Sequence, residues 1–455
     1  MRIGWVMLAV LALVACDRGA ADRRATGDEG ARDRDAHVGA SAGESAAAAT
    51  SARGTPAQAT RLDALSSEGM PSGFTLATEP KPFAFPRDHG PHPDFRHEWW
   101  YVTGHLDADS GQRFGFELTF FRFALVPPRS DDGMDTRARA ATKSDVSAVG
   151  AAGDRGGGSD QNGGGERSGG PDSPSAWRTR QIYMAHFAIT DLDRGTFQST
   201  ERYARDALGL AGAQAEPFRV WLDDWALGTP ASEMGPEGSS YWQLRAADKG
   251  YAFDLQLRAV TPPVLNGDAG LSRKADAPGA ASYYYSIPRL AATGRIVRDG
   301  KPLDVNGLAW LDREWGSGAL GADQQGWDWF ALQFDDGGTL MFYSLRKRDG
   351  QRDPHSAGTW FAPDGTTHAL PSDDVQIDVK DYWNSPRGGR YPARWQLRVP
   401  SLKLDVDIRP RLADQELDTS PRYWEGAATI AGTRGDSKVA GRAYVELVGY
   451  ANTAR

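Results

Sequence analysis

The ten residues with the strongest structural signal in this chain are His97-Glu98-Trp99-Trp100-Tyr101-Val102-Thr103-Gly104-His105-Leu106. Three adjacent aromatic residues lead into an alternation of apolar and polar side chains, which indicates a β-strand with one face against a core. A tryptophan side chain buries a large area and its N–H group needs a partner, so Trp99 and Trp100 both require cover. We therefore predict either a central strand of a large β core or a strand whose second face lines an aromatic ligand cavity.

The residues after this strand complete a β-hairpin. Asp107–Gly111 is rich in turn residues, and Gln112–Leu125 carries aromatic side chains at alternating positions. Similar strand-like runs, separated by Gly or Asp turns, continue along the chain, and helices are expected only as one or two short ones in Glu201–Leu210. The 53 Gly, 15 Trp, 14 Tyr and 17 Phe are typical of a turn-rich β protein. These patterns predict an all-β fold of antiparallel barrels or sandwiches.

Nucleic acid, metal ions and cofactors are not expected as partners. A formal net charge of −8 leaves no basic surface for nucleic acid. His89 and His92 have the spacing of metal ligands, but Pro91 separates them and no further zinc pattern follows, so we expect no metal. Gly316–Gly321 matches the dinucleotide fingerprint without the strand and helix that it requires, so we expect no cofactor.

The first residues read as an export signal. The apolar run Ile3–Val14 is too short to span a membrane and is typical of a secretory signal peptide. Its end, Leu13-Val14-Ala15-Cys16, resembles the bacterial lipobox, and Cys16 is the only cysteine in the chain. We therefore expect a lipoprotein signal over residues 1–16 and lipidation of Cys16. The chain is expected to be anchored to a bacterial membrane and to face the periplasm, and Asp17 favours the inner membrane.

Two segments lack the apolar residues that a core needs. Residues 17–73 contain no aromatic residue and are rich in Ala, Gly, Ser and charged residues, so we expect a disordered tether. Residues 127–176 contain no aromatic residue, Leu or Ile and include two runs of three glycines. We expect a disordered loop insertion there, which costs little stability because loop closure entropy grows slowly with length.

The main candidate for chemistry is the polar and aromatic run Leu308-Ala309-Trp310-Leu311-Asp312-Arg313-Glu314-Trp315-Gly316. In an extended strand Asp312 and Glu314 share one face, whereas Arg313 and Trp315 share the other. Two carboxylates in an enclosed site cannot both ionise cheaply, so one pKa would rise and that group would serve as a general acid.

A structural interpretation of the same residues stays open. Arg313 would then pair with Glu98 or Glu425 in a salt-bridge cluster at a domain junction. His89 and His92 are expected to hydrogen-bond a loop across a barrel mouth.

Several motifs occur in an order typical of one family. They are Phe85-Pro86-Arg87-Asp88-His89-Gly90, Glu98-Trp99-Trp100-Tyr101, Ala185-His186-Phe187-Ala188-Ile189-Thr190-Asp191, Asp312-Arg313-Glu314-Trp315-Gly316 and Tyr444-Val445-Glu446-Leu447-Val448-Gly449-Tyr450. With them the chain resembles the AttH-like branch of the carotenoid 1,2-hydratase (hydroxyneurosporene synthase) family. The resemblance implies two tandem lipocalin-like antiparallel β-barrels, 74–325 with the insertion and 326–455. A weak repeat of Trp100–Arg122 at Trp329–Arg346 agrees with two similar halves.

The resemblance also implies an exported protein with one of two functions. Family members are often exported, and several are encoded beside export-type ABC transporter permeases. The hydratases of the family protonate an isolated carbon–carbon double bond and add water, and in them a histidine follows the aspartate of the Asp312 motif. Here that residue is Arg313, which is permanently charged and cannot act as a proton shuttle.

Two hypotheses follow from these observations. The favoured one is a lipid-anchored lipocalin-like protein that binds a hydrophobic or lipid-like small molecule, alongside an ABC transporter permease. The alternative is a hydratase-like or hydrolase-like enzyme with catalytic carboxylates at Asp312, Glu314 and Glu98. In both, the expected ligand-binding residues are His89, His92, Trp99, Trp100, Tyr101, His186, Arg313, Trp315 and Trp329.

Overall fold

The computed structural model describes residues 73–128, 179–230, 241–318 and 320–451. The predicted signal peptide with Cys16, nearly all of the tether and nearly all of the insertion lie outside these residues. The strands, numbered along the chain, are β1 His97–Ala108, β2 Arg113–Ala124, β3 Gln181–Asp191, β4 Thr196–Arg205, β5 Ala211–Ala215, β6 Phe218–Leu222, β7 Trp225–Gly228, β8 Trp242–Asp248, β9 Tyr251–Ala259, β10 Val264–Leu265, β11 Leu271–Arg273, β12 Ala281–Arg298, β13 Lys301–Gly316, β14 Gln324–Phe334, β15 Thr339–Lys347, β16 Ala357–Phe361, β17 Thr367–Pro371, β18 Gln376–Asn384, β19 Arg390–Val399, β20 Leu404–Pro410, β21 Glu416–Leu417, β22 Tyr423–Arg434 and β23 Ser437–Leu447. Two short 3₁₀ turns lie at Arg87–His89 and Pro400–Leu402.

Within the described residues, the first thirteen strands form one antiparallel sheet that curls into a barrel-like layer. Its strands lie in the order β4-β3-β2-β1-β13-β12-β9-β8-β7-β6-β5, and β10 and β11 pair with β12. The alternating pattern of β1 and β2 places Trp100, Val102, Phe116 and Leu118 in its core, where all four are fully buried. Because β1 pairs with β2 on one side and β13 on the other, the two motif strands are neighbours.

The other ten strands of the described chain form a second antiparallel sheet with a core of its own. Their order is β17-β16-β15-β14-β23-β22-β20-β19-β18, and β21 pairs with β22. Phe330, Trp395, Tyr391 and Val445 are fully buried inside this sheet. The predicted all-β fold with two tandem antiparallel barrels is confirmed.

The outer faces of the two barrels pack against each other. The rings of Tyr101 and Trp329, one from each sheet, meet edge to face with their centroids 5.1 Å apart. We call the layer between the sheets the seam. Its principal side chains are Trp99, Tyr101, Thr103, Glu117, Thr119, His186, Tyr284, Trp310, Asp312, Glu314, Trp327, Trp329, Met341, Tyr343, Tyr423, Glu425, Ala427, Tyr444 and Glu446.

Helices play little part in this fold. The expectation of a short helix in Glu201–Leu210 is wrong, because β4 runs into this segment and pairs with β3, for example Glu201 with His186. Pairing with β4 satisfies backbone groups of β3 that would otherwise form an open edge, and this tertiary requirement overrides a weak local helix preference. In the parts of the chain that the structure describes, no helix has the length and apolar character needed to cross a membrane.

Candidate functional site

The alternation of side chains along β1 and β13 divides the predicted site residues into two groups. Successive side chains of a strand point to opposite faces of its sheet. The group inside the first barrel consists of Glu98, Trp100, Arg313 and Trp315, joined by His89 and His92. The group in the seam consists of Trp99, Tyr101, His186, Asp312, Glu314 and Trp329. The sheet separates the two groups, so one small ligand cannot contact both.

Glu98 is the centre of an ion cluster inside the first barrel. Its carboxylate accepts hydrogen bonds from Arg122 and Arg313, and all three side chains are shielded from solvent. Of the two partners expected for Arg313, the structure therefore shows Glu98, whereas Glu425 lies in the other sheet. Burial alone would raise the pKa of Glu98, but the two guanidinium groups hold it well below its usual range. Glu98 is therefore a carboxylate at neutral pH and has no proton to donate.

Aromatic rings complete this cluster. The guanidinium of Arg313 lies 3.9 Å from the ring centroid of Trp100, and the His92 ring stacks on Trp315 with centroids 3.7 Å apart. Burial, and then the charge of Arg313, lowers the pKa of His89 to about 4, so its imidazole is neutral. These contacts join Trp100, His92 and Trp315 to the ion cluster of Glu98.

In the seam, polar side chains form a row across five strands. The directly paired positions are Ser286 on β12, Asp312 on β13, Tyr101 on β1, Thr119 on β2 and His186 on β3. Neighbouring strands of a sheet lie about 4.8 Å apart, so these side chains stand next to one another along one line. The pairing of β1 with β13 therefore joins two sequence motifs in a single site.

Asp312 is held by three neutral donors. The hydroxyl of Ser286 lies 2.5 Å and the indole N–H of Trp310 2.7 Å from its Oδ1, and Tyr284 donates to its Oδ2. Burial raises the pKa of Asp312 to about 7, although these hydrogen bonds oppose the rise. The rise expected for one member of the Asp312–Glu314 pair thus comes chiefly from burial, and repulsion from the second carboxylate adds little. A group with a pKa near neutrality can both accept and donate a proton.

Glu314 shares the face of Asp312 but has a charged partner. The ammonium group of Lys274 lies 3.2 Å from its Oε1, and the hydroxyl of Ser282 donates to the same oxygen. Lys274 also lies 4.0 Å from the ring centroid of Tyr343 across the seam. Glu314 is therefore one half of a largely buried ion pair.

Three further acids enter the seam, namely Glu117 on β2, Glu425 on β22 and Glu446 on β23. Burial raises the pKa of Glu117 to about 8 and that of Glu446 to about 7. Burial, followed by repulsion from Glu117 and Glu446, raises the pKa of Glu425 well above its usual range. The group therefore retains protons at neutral pH. From sequence, Glu425 was considered only as a partner of Arg313, and Glu117 and Glu446 were not assigned to a site. A glutamate between the aromatic residues of β2 is a signal that could have found Glu117.

Hydroxyl groups tie these acids to both sheets. Tyr101 donates a hydrogen bond to Glu425 across the seam. The hydroxyl of Thr119 lies 2.6 Å from Oε1 of Glu117. Glu425 of the second sheet is thus joined to the polar row of the first.

Four buried polar atoms on these acids and their neighbours have no hydrogen-bond partner. Within the described residues, they are Oε2 of Glu117, Oε2 of Glu425, the hydroxyl of Tyr444 and the hydroxyl of Thr103. Thr103 and Glu117 are directly paired on neighbouring strands, and the charges of Glu425 and Glu117, after burial, raise the pKa of Tyr444. Buried polar groups nearly always have hydrogen-bond partners. These four atoms therefore have hydrogen-bonding capacity that their neighbours in the seam leave unused.

His186 ends the polar row at the side of the seam. Its Nδ1 lies 2.8 Å from the hydroxyl of Tyr423 on the second sheet, and its Nε2 lies 3.2 Å from Oε1 of Glu201. At the other side, the indole N–H of Trp329 donates to the hydroxyl of Tyr284 over 3.1 Å. The seam thus combines acids, a histidine and aromatic rings in one enclosed layer.

Comparison with known proteins shows which family this chain resembles. The family model described as AttH-like matches residues 76–156 and 164–450. A crystal structure of an AttH protein from Nitrosomonas europaea is 31% identical, with a TM-score of 0.65, and the match covers 83% of this chain and 100% of that one.

Two further similar proteins are named as a dehydratase and a hydratase. The dehydratase asqC of Emericella nidulans is 22% identical over 218 residues, which cover 45% of this chain and 60% of the dehydratase, less than two thirds of its length. Kievitone hydratase from Nectria haematococca is 14% identical with a TM-score of 0.56, over 84% of this chain and 98% of that one, which shows a shared fold. From the family match and the Nitrosomonas structure, the chain belongs to the AttH-like family, with its lipocalin-like fold.

Proposed function

We propose that this chain is a hydro-lyase, an enzyme that adds water to a carbon–carbon double bond of an apolar small molecule or removes it. The observation that carries the proposal is the meeting of two kinds of acid in the seam. Glu117 and Glu425 hold protons at neutral pH, whereas Asp312 titrates near it. General acid and base catalysis is most effective when the pKa of the catalytic group lies near the working pH.

The proposed hydration begins with proton transfer. Glu117 or Glu425 donates its proton to one carbon of the double bond, and the adjacent carbon becomes a cation. The rings of Tyr101 and Trp329 can stabilise this cation through their electron-rich faces. A water molecule then bonds through its oxygen to the cationic carbon and gives one proton to Asp312. The product is one alcohol, return of the proton from Asp312 to the glutamate completes the cycle, and dehydration is the reverse.

The relatives support this class of reaction over the ligand carrier that the sequence favoured. The dehydratase shares sequence with this chain, and the hydratase shares its fold. The residue that departs from the hydratase pattern, Arg313, pairs with Glu98 inside the first barrel and not with the acids of the seam. The proposal therefore needs no proton shuttle at position 313.

An isotope experiment tests the proposal. The full-length chain is incubated in ¹⁸O-labelled water with linalool and with myrcene, an alcohol and the alkene that it gives on loss of water. We expect ¹⁸O in the alcohol, detected by mass spectrometry, and a rate at least about a hundredfold lower in Asp312→Asn and in the double variant Glu117→Gln/Glu425→Gln. Asp254→Asn, which changes an exposed carboxylate on β9, should keep the wild-type rate. Binding of both compounds without any exchange would contradict the enzyme and favour the carrier.

A further inference from the structure

A cleft opens between the two sheets at one end of the seam. It has a volume of about 390 Å³. His105 and Asp107 of β1 and Arg113 of β2 line it from the first sheet, and Arg411 and Arg442 line it from the second half of the chain. Arg442 donates a hydrogen bond to Asp107, which ties the two sides together.

Two of the three guanidinium groups in this cleft are not neutralised by a direct ion pair. Among the residues that the structure describes, Arg113 and Arg411 have no carboxylate within ion-pair distance of their side chains, although Asp335 also lines the cleft. The nearby carboxylate of Asp193 accepts a hydrogen bond from the backbone N–H of Arg113 instead. Burial, and then the neighbouring charges of Arg113 and Arg442, lowers the pKa of Arg411. The charges of Asp107 and Asp193 oppose this shift without reversing it, so the three arginines repel one another and an anion between them would relieve that repulsion.

His105, in the lining of the cleft, lies next to the seam. The Nε2 of His105 lies 2.9 Å from the carbonyl oxygen of Ala443, and the ring of His105 lies 6.1 Å from that of Tyr444. Burial lowers the pKa of His105 to about 4, so its ring is neutral and Nδ1 is available as an acceptor. Thr103, whose hydroxyl has no partner, lies two positions along β1, which corresponds to roughly 7 Å. Thr103 and its directly paired neighbour Glu117 are buried in the seam just beyond the lining of the cleft.

From this geometry we infer that the cleft binds the anionic group of the substrate, a carboxylate or a phosphate on an apolar chain that extends into the seam. Arginine is the side chain best suited to such groups, because its planar guanidinium donates two parallel hydrogen bonds. The role given to the far end of the ligand rests on the proposed function. The anion site itself does not.

Calorimetric titration of the full-length chain tests the inference with three probes that share one hydrocarbon chain. They are geranyl phosphate, geranic acid and geraniol. We expect at least one of the two anions to bind about tenfold or more tightly than geraniol. Arg411→Met and Arg113→Met should each remove most of that difference and leave the affinity for geraniol unchanged. The control is Arg258→Met, an exposed arginine on β9, which should behave as wild type.

The possible outcomes distinguish a phosphate site from a carboxylate site and show when the inference is wrong. A preference for geranyl phosphate alone assigns the cleft to phosphates, and a preference for geranic acid alone assigns it to carboxylates. Equal affinities for all three probes, no binding of either anion, or an anion preference that survives both substitutions would overturn the inference. Because Arg113 is exposed, its variant keeps the test valid if Arg411→Met does not fold. Binding needs no turnover, so an anion preference without ¹⁸O incorporation at a double bond of geranic acid would remove the proposed function and leave the site.

Discussion

Buried carboxyl groups in the seam bind protons more tightly in the folded protein than in the unfolded chain. Glu117 has a pKa of about 8 when folded, against an ordinary value of 4.5. Between these two pH values the unfolded chain has released a proton that the folded protein keeps. Raising the pH through this window therefore lowers the free energy of unfolding, by up to about 1.4 kcal/mol per pH unit for each such group.

Glu117→Gln should flatten this pH dependence, because an amide has no proton to release. We expect urea unfolding between about pH 5 and pH 8 to show a slope smaller than that of the wild type by up to about 1.4 kcal/mol per pH unit. The control, Asp254→Asn, changes a carboxylate in an exposed ion pair and should keep the wild-type slope. An unchanged slope in Glu117→Gln would show that this carboxyl is ionised in the folded protein.

The ion cluster of Glu98 differs from the seam, because its buried carboxylate is charged and paired with two arginines. Arg122→Met leaves Glu98 buried with one guanidinium fewer, and we expect a loss of about 3–5 kcal/mol in the free energy of unfolding. Arg295→Met, which removes the exposed pair with Asp304, should cost less than about 1 kcal/mol. Urea unfolding at neutral pH measures both. Similar small losses in the two variants would argue that the Glu98 cluster is open to water.

At the scale of the residue, the sequence could predict which face of a strand a side chain occupies. It could not predict which side chains of different strands come into contact. The alternation of a strand was sufficient to separate Asp312 from Arg313, since it depends only on the local period of two. It could not show that Glu117 and Glu425 share one site, because they lie on different sheets and meet only when the barrels pack. The cluster of acids with raised pKa values in the seam was missed for that reason.

At the scale of elements, β2 and β22 come into close contact at Gly115 and Ala427. A Cβ added at Gly115 would lie 2.6 Å from the Cβ of Ala427, closer than real Cβ contacts. We expect Gly115→Ala to destabilise the protein by about 1–3 kcal/mol, because it forces the two sheets apart. Ala427→Gly in the same chain should restore part of that loss, and urea unfolding of the two single variants and the double variant measures the coupling. Additive effects would contradict this packing of the sheets.

The hairpin of β1 and β2 could be predicted because its turn and its alternation are both local signals. The pairing of β1 with β13 could not, because the two strands are separated by most of the first barrel. The two strands become neighbours only because the whole sheet curls, and a short window of sequence carries no signal for that curling. The barrels were accordingly predictable as a class of fold, whereas the site depends on their strand order.

At the scale of the whole molecule, membrane attachment is still a prediction from sequence. Cys16 lies outside the described residues, and so does the signal peptide. We expect the full-length chain, produced in a bacterial host, to incorporate radiolabelled palmitate and to sediment with membranes. Cys16→Ser should abolish both. Palmitate incorporation that survives this substitution would rule out the predicted lipidation site, and association with an ABC transporter permease likewise stays a prediction.

The proposed chemistry and the stability of the seam both depend on carboxyl groups that keep their protons when buried between the sheets. Infrared difference spectroscopy detects such protonated carboxyls directly through their C=O stretching band. At about pH 6, below the pKa of about 8 of Glu117, we expect a band that weakens as the pH rises towards about 10. The band should lose intensity in Glu117→Gln and in Glu425→Gln but not in Asp254→Asn. A wild-type spectrum without this band, or one identical in all variants, would show that the acids of the seam are ionised and would contradict the account.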